Sequence, residues 1–304
     1  MPAPLLTLGT AQLGAAYGLA GARGGLARGE VDSILRAALE LEVRSLDSAP
    51  QYGEAEARIG RFLQREASGA DLSICTKLPK LPPGLTADAL DGVVTEALEA
   101  SRRRLRRDTI DTYLVHAPAD LRAYGRILVD ALVRRRDAGW VSRLGVSIYD
   151  PADAAAVLSC PELSAIQFPF NLFDRRMKTR GCIEKLRLDG CTLFARSPLL
   201  QGLFALPPDA LPRRVAAARP WLEALGELAG RRGLAVVPLA LAYASSQSGA
   251  DRLVLGVDSE AQLRAAVEAM RVPLAPGVVS EIDRVFAEVP ARVRDPRRWA
   301  EGRP

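Results

Sequence analysis

Eight short apolar runs rich in strand-forming residues, near residues 5–10, 43–48, 71–77, 110–116, 141–147, 163–168, 190–196 and 252–257, alternate along the chain with segments of helical periodicity. Few architectures accept that alternation. A strand followed by a crossover helix starts the next strand parallel to the first, and a parallel sheet needs helices over its faces. Eight such units close on themselves and pair every edge strand, so the pattern predicts an α/β fold of the (β/α)8 (TIM) barrel type. Glu30–Glu42 carries Val31, Ile34, Leu35, Ala38, Leu39 and Leu41 at helical spacing, and Ala87–Arg106 repeats this with Leu90, Val94, Leu98 and Leu105. Both read as outer helices.

Further helices are expected at Glu54–Arg65, Leu121–Ala138, Pro151–Leu158, Arg175–Leu188, Leu222–Arg232, Leu239–Ser246, Glu260–Met270 and Val278–Phe286. Asp150 before Pro151 is a cap followed by a proline at the first helical position. Leu78–Leu85 and Leu199–Arg214 read as loops over one end of the barrel. No shift of composition marks a second domain, so residues 1–304 read as one unit with an irregular, arginine-rich tail over about 291–304.

The strand ends carry the chemistry. Asp47 closes Val43–Asp47, Lys77 closes Leu72–Lys77, and His116, the one histidine of the chain, closes Ile110–His116. Tyr52 follows Asp47 by five residues, in the loop Ser48-Ala-Pro-Gln-Tyr52-Gly53. Loops after the strands build the active sites of such barrels, so these four side chains converge on one mouth. A phenol with an ordinary pKa of about 10 holds its proton too tightly for easy donation near neutral pH. Lys77 supplies a cation to acidify Tyr52, Asp47 keeps a buried Lys77 charged, and His116 offers a ring N–H to a carbonyl oxygen. Lysine is scarce in this arginine-rich chain, which sets Lys77 apart.

Composition excludes several alternatives. Apolar residues at 48% and charged residues at 25% suit a soluble chain with a sizeable core. The net charge of +5 is spread among acids, and its densest cluster, Arg102–Arg107, reads as the solvated end of a helix. Without alternation of basic and aromatic residues, no nucleic-acid partner is expected. Cys75, Cys160, Cys182 and Cys191 form no Cys-x-x-Cys pair and lie near no histidine at ligand spacing, so reduced thiols and no metal are expected. No run of about 20 apolar residues suggests a membrane span, and a cytoplasmic enzyme, monomeric or dimeric, is expected.

Leu8–Gly14, Leu46–Glu56, Thr76-Lys77, Tyr113–His116, Gly145–Ser147, Ser197–Leu199 and Val254–Val257 occur in an order that resembles the aldo-keto reductases, over about residues 5–290. The resemblance implies an NAD(P)-dependent oxidoreductase that reduces a small carbonyl substrate reversibly, with Tyr52 as general acid and base. It implies cofactor contacts at Gly9, Thr10, Asp47, Ser147, Gln167, Arg196, Ser197, Pro198, Leu199, Gln201, Gly202, Gly256, Val257, Asp258, Ser259 and Gln262. Ile148 stands where an asparagine usually follows the serine, so one amide contact to the nicotinamide is not carried over. Arg196 replaces the aromatic residue that usually stacks on that ring; it either takes over the stacking or reaches toward an anionic substrate or the pyrophosphate.

The family expectation is NADP, but the usual cations for its 2′-phosphate are absent, and Asp258 suits a ribose hydroxyl, which points toward NAD. Tyr17, Pro50, Phe170, Phe173 and Trp299 are expected around the substrate. Ala195–Phe204, with the region of Gln12 and Tyr17, is similar to a bacterial subgroup associated with sugar or surface-polysaccharide chemistry, which favours a keto sugar. The alternative on the same fold is a non-catalytic regulatory or sensor protein that binds the nucleotide, as the potassium channel beta subunits do.

Overall fold

The computed structural model describes residues 3–19, 25–66 and 71–299. Eight parallel strands close into a barrel in sequence order: β1 (Leu5–Gly9), β2 (Ser45–Asp47), β3 (Ser73–Leu78), β4 (Ile110–Val115), β5 (Val141–Ser147), β6 (Leu163–Pro169), β7 (Thr192–Arg196) and β8 (Arg252–Gly256). Closure is made by β1 against β8, with Gly9 opposite Gly256. Each strand falls within one residue or two of its expected run, and the helices Pro151–Leu158 and Glu260–Met270 have the expected bounds. The Arg175–Leu188 segment is split into Arg176–Thr179 and Cys182–Leu188 by a turn at Arg180-Gly181. Leu199–Arg214, expected as a loop, is wound into short 3-10 helices at Leu200–Ala205, Pro208–Ala210 and, running beyond it, Arg213–Ala218.

The main core lies between the strands and the outer helices, where Ile34, Leu35, Leu90, Leu98 and Leu128 are fully buried. A second, smaller cluster of Cys75, Leu114, Ala165, Phe194 and Val254 takes one residue from each of five strands. Side chains alternate along a strand, so residues two positions further on share its face. Those residues are Lys77, His116, Gln167, Arg196 and Gly256. An apolar plug inside the barrel thus carries a polar layer on its C-terminal side.

Two local features fix the loop that bears Tyr52. The helical turn Ala11–Gly14 lies against it so closely that a Cβ on Gly14 would sit 1.7 Å from the Tyr52 carbonyl oxygen. Only glycine allows that approach. Beyond the loop, helix Ala55–Arg65 is anchored by buried Glu56, which accepts from Thr76 Oγ1 at 2.6 Å and pairs with Arg104 at 2.7 Å. Tyr52 is therefore held between two packed elements.

The expected irregular tail is ordered as far as it is described. Ala291–Arg294 and Pro296–Arg298 form two short helical turns, capped by Asp295, whose carboxylate accepts from Arg297 N at 3.1 Å. Residues 300–304 of that tail lie outside the described residues. No helix among the described residues is long and apolar enough to cross a membrane.

Candidate active site

Asp47, Lys77 and His116 stand at or just past the C-terminal ends of β2, β3 and β4, and Tyr52 leans over them from the loop after β2. Lys77 is fully buried, and its Nζ donates to Asp47 Oδ1, Asp47 Oδ2 and Ser48 O, each at 2.8 Å. An ammonium has three protons, and all three are committed. Lys77 therefore reaches Tyr52 through its field, with Nζ 5.2 Å from the ring centroid. Asp47 also accepts from Gln167 Nε2 at 2.7 Å, and Gln167 Oε1 accepts from Ser147 Oγ at 3.3 Å. One network thus joins β2, β3, β5 and β6 across the barrel.

The Tyr52 and His116 rings meet edge to face, with centroids 6.5 Å apart and planes at 88°. Tyr17 closes over Tyr52 with centroids at 6.3 Å. Gln51 Oε1 lies 3.2 Å from His116 Nδ1, and an amide offers both a donor and an acceptor there, so it suits either tautomer of a neutral ring.

The electrostatics overturn the expectation of an acidified phenol. Burial is the largest influence on Tyr52 and pushes its pKa up to about 12; Lys77 pulls in the opposite direction without prevailing. The physical reason is that Asp47 cancels much of the Lys77 charge, so Tyr52 feels a dipole rather than a bare cation. Burial is the largest influence on Lys77 too and opposes its charge, but Asp47 together with Tyr52 and Cys75 outweighs it and the pKa is raised. His116 is lowered to about 4, first by burial and then by Lys77 and Arg196. Near neutral pH the pair is a protonated phenol and a neutral imidazole, two uncharged donors beside a buried salt bridge.

Two cavities open on Tyr52. The larger, about 330 Å³, runs from Asp47 and Tyr52 past Gly9, Thr10, Arg196, Ser197, Pro198, Leu199, Gln201 and Gly202 to Gly256, Val257, Asp258 and Gln262. The smaller, about 290 Å³, is lined by Tyr17, Tyr52, His116, Ser147, Gln167, Arg196 and the ordered tail at Arg294–Arg297. Between them the backbone at Ser197, Leu200 and Gln201 takes positive φ of 59°, 47° and 53°. Such strain in non-glycine residues persists where a binding wall dictates the shape.

The aldo/keto reductase family profile matches residues 5–287. The chain belongs to that family. A "6-dehydroglucose reductase" from Novosphingobium aromaticivorans is 27% identical over 276 residues, covering 83% of this chain and 84% of its own. "Aldo-keto reductase YhdN" from Bacillus subtilis is 27% identical over 255 residues, covering 77% and 76%. Among solved structures, "aldo-keto reductase AKR11C1 from Bacillus halodurans (holo form)" superposes with a TM-score of 0.74 over 96% of this chain and 95% of that one, at 20% identity. The aldo-keto reductase barrel is thus matched over nearly its whole length.

Several expected contacts are corrected by the packing. Phe170 is fully buried and stacks on Tyr243 at 7° between planes, and Phe173 packs against Phe204 and Phe286 at 4.8 and 5.1 Å between centroids. Trp299 is buried and donates Nε1–H to Val293 O at 3.2 Å. None of the three lines either cavity, nor does Pro50; of the expected substrate contacts only Tyr17 does. Ser259 lines neither as well; its hydroxyl caps helix Glu260–Met270 by accepting from Gln262 N at 3.2 Å. The Thr10 hydroxyl donates to Asp47 O at 3.0 Å, tying β1 to β2.

Residues missed from the sequence include the apolar wall Val237, Pro238, Leu241, Ala265, Ala266 and Ala269 of the larger cavity, and Tyr149, Arg176, Arg294 and Arg297 of the smaller. The helix Val236–Gln247 is apolar on all sides, a signal that reads as core; the tail arginines carry no local signal.

Lys77→Met strands the Asp47 carboxylate without its cation, so a loss of about 3–5 kcal/mol in unfolding free energy is expected from urea titration. The double variant Asp47→Asn with Lys77→Met should recover most of it; an unchanged midpoint in the single variant would count against the buried pair. The His116 shift sets an acid limb. An unfolded histidine takes up its proton near pH 6.5 while folded His116 resists until about 4, so the unfolded chain binds more protons in that window. Stability from this group is therefore full above pH 6.5 and declines toward pH 4, and His116→Gln should flatten the decline in urea midpoints measured from pH 7.5 to 4.5.

Proposed function

We propose that this protein reduces a carbonyl to an alcohol, reversibly, with a nicotinamide dinucleotide in the larger cavity, the carbonyl in the smaller, and Tyr52 as proton donor. One observation carries the reading: Tyr52 lines both cavities, so a group held in each would meet at its hydroxyl. The larger cavity suits a dinucleotide. Its volume lies in the range of ligand sites, one wall is apolar with Val237, Pro238, Leu241 and Ala266, and bare backbone at Gly9 and Gly256 forms part of its lining. A Cβ on Gly9 would come within 3.1 Å of Gly256 N, so the two strands approach closely there, whereas one on Gly256 would meet only the movable end of Gln12.

A reduced nicotinamide supplies the hydride when bound, and the side chains do the rest. The Tyr52 hydroxyl and the N–H of neutral His116 converge on the carbonyl oxygen and orient it. As negative charge builds on that oxygen, the Tyr52 proton passes to it, and the field of Lys77 stabilises the phenolate left behind. Donors fixed in place before the charge develops need no reorganisation when it does. In the oxidative direction Tyr52 takes the proton back.

For the nucleotide, NAD is favoured over NADP. Asp258 and Gln262 line the far end of the cavity, where Arg196, at the other end, is the sole Lys or Arg among the lining residues. Arg264 offers no substitute because it pairs with both Glu40 and Glu260. Burial raises the Asp258 carboxyl, as expected of a carboxylate with no cation beside it. A 2′-phosphate there would meet an acid instead of a base. The relative named for 6-dehydroglucose, a sugar whose C6 is an aldehyde, supports an oxidised sugar as substrate.

Tyr52→Phe should lower kcat/KM for carbonyl reduction by about 10²–10⁴-fold while NADH still quenches fluorescence on binding. Undiminished turnover would defeat the assignment of Tyr52, and nucleotide binding with no carbonyl reduced by the wild type would favour the regulatory alternative. NADH should bind about tenfold or more tightly than NADPH in the same titration, and Asp258→Ser with Gln262→Arg should narrow the difference.

A further inference from the structure

The smaller cavity carries charge that the protein itself does not neutralise. Four arginines line it, Arg176, Arg196, Arg294 and Arg297, against two aspartates, Asp174 and Asp295, with Asp150 beside them at the rim of a neighbouring hollow. The carboxylates are all committed to two of the arginines. Arg176 pairs with Asp174 at 2.8 Å and with Asp150, and Arg297 pairs with Asp295 at 2.6 Å and Asp150 at 3.0 Å. Arg294 makes one hydrogen bond, to Val289 O at 2.7 Å, and its Nε is buried with no partner.

Arg196 is the more telling case. It stands at the end of β7, lines both cavities, and has no carboxylate within ion-pair distance among the described residues. Its one hydrogen bond runs from Nη2 to Ile148 O at 3.3 Å, which leaves most of the five donors of a guanidinium unused. Its Cζ lies 4.3 Å from the centroid of the Tyr149 ring, over which Arg297 also lies at 4.4 Å. Stacking of that kind holds the planar fork without consuming its in-plane N–H groups. The charge is felt at the reacting end of the cavity, where Arg196 lowers the pKa of His116 and pulls down that of Tyr52. A cation kept half-buried, stacked and unpaired is held in readiness for an anion.

We propose that the substrate is an anionic carbonyl compound, an oxo acid or a phosphorylated sugar, whose carboxylate or phosphate is gripped by Arg196 with Arg294 as a second cation. This deepens the reductase reading and rests on it. The carbonyl then lies under Tyr52 and His116 while the anionic group points toward β7 and the tail. A planar fork binds either oxyanion in two parallel hydrogen bonds, so the chemistry shared by both sources is the bidentate oxyanion.

The test compares matched pairs at saturating NADH: succinic semialdehyde against butanal for the carboxylate, and glyceraldehyde 3-phosphate against glyceraldehyde for the phosphate. Wild type should prefer the anionic member of at least one pair, and Arg196→Gln should reduce the ratio of kcat/KM between anionic and neutral members by about tenfold to a hundredfold, with Arg196→Lys in between. The pair that responds identifies the source. A second readout needs no turnover: calorimetric binding of succinate and of inorganic phosphate to the wild-type protein with NADH, weakened in Arg196→Gln. If both members of each pair fall together and NADH affinity falls with them, Arg196 serves the nucleotide and the proposal is overturned. Anion binding unaffected by Arg196→Gln overturns it as well, even where no tested carbonyl is reduced; that last result alone would instead count against the reductase reading.

Discussion

The buried ion pair between Lys77 and Asp47 is the constraint around which the mouth of the barrel is organised. Removing two charges from water is favourable only where every proton and lone pair finds a partner. Here the ammonium spends its protons on both carboxylate oxygens and the Ser48 carbonyl, and the carboxylate takes a further bond from Gln167. Satisfying the pair thus requires β2, β3 and β6 in fixed register. The close approach of Gly14 to the Tyr52 backbone then sets the phenol above a foundation that does not shift.

Because the pair is saturated within itself, it influences the site by field and not by contact. That explains why the two groups facing the smaller cavity remain uncharged: burial raises Tyr52 and lowers His116, and the neighbouring cations deepen the shift of the histidine. Two neutral donors beside a polarised salt bridge form a place where negative charge can develop on oxygen without paying for the reorganisation of water. The unpaired Arg196 continues the same logic outward, adding a cation where the carboxylates of the wall are already paired with Arg176 and Arg297.

Much of this was legible in the chain. The apolar runs Ile110–His116 and Leu72–Lys77 mark strands and put Lys77 and His116 at their ends, so the convergence of Asp47, Lys77 and His116 follows once eight units are counted. The aromatic residues were less legible. Phe170 and Phe173 follow β6 as loop residues should, yet they turn inward to Tyr243 and to Phe204 with Phe286, partners 31 or more positions away in the chain. The tail posed the same problem: Trp299 reads as a substrate contact and is a buried anchor, whereas Arg297 near it reaches Tyr149.

The sequence by itself determined the order of the strands and the layer of polar residues above the apolar plug, because both depend on local periodicity and on the closure of consecutive parallel units. Only the tertiary structure decided which cations are neutralised, which aromatics are core, and that Tyr52 borders two cavities at once. Those properties depend on which side chains meet across the barrel, and no local pattern encodes the distance between Asp150 and Arg297 or the isolation of Arg196 from the carboxylates of the described residues.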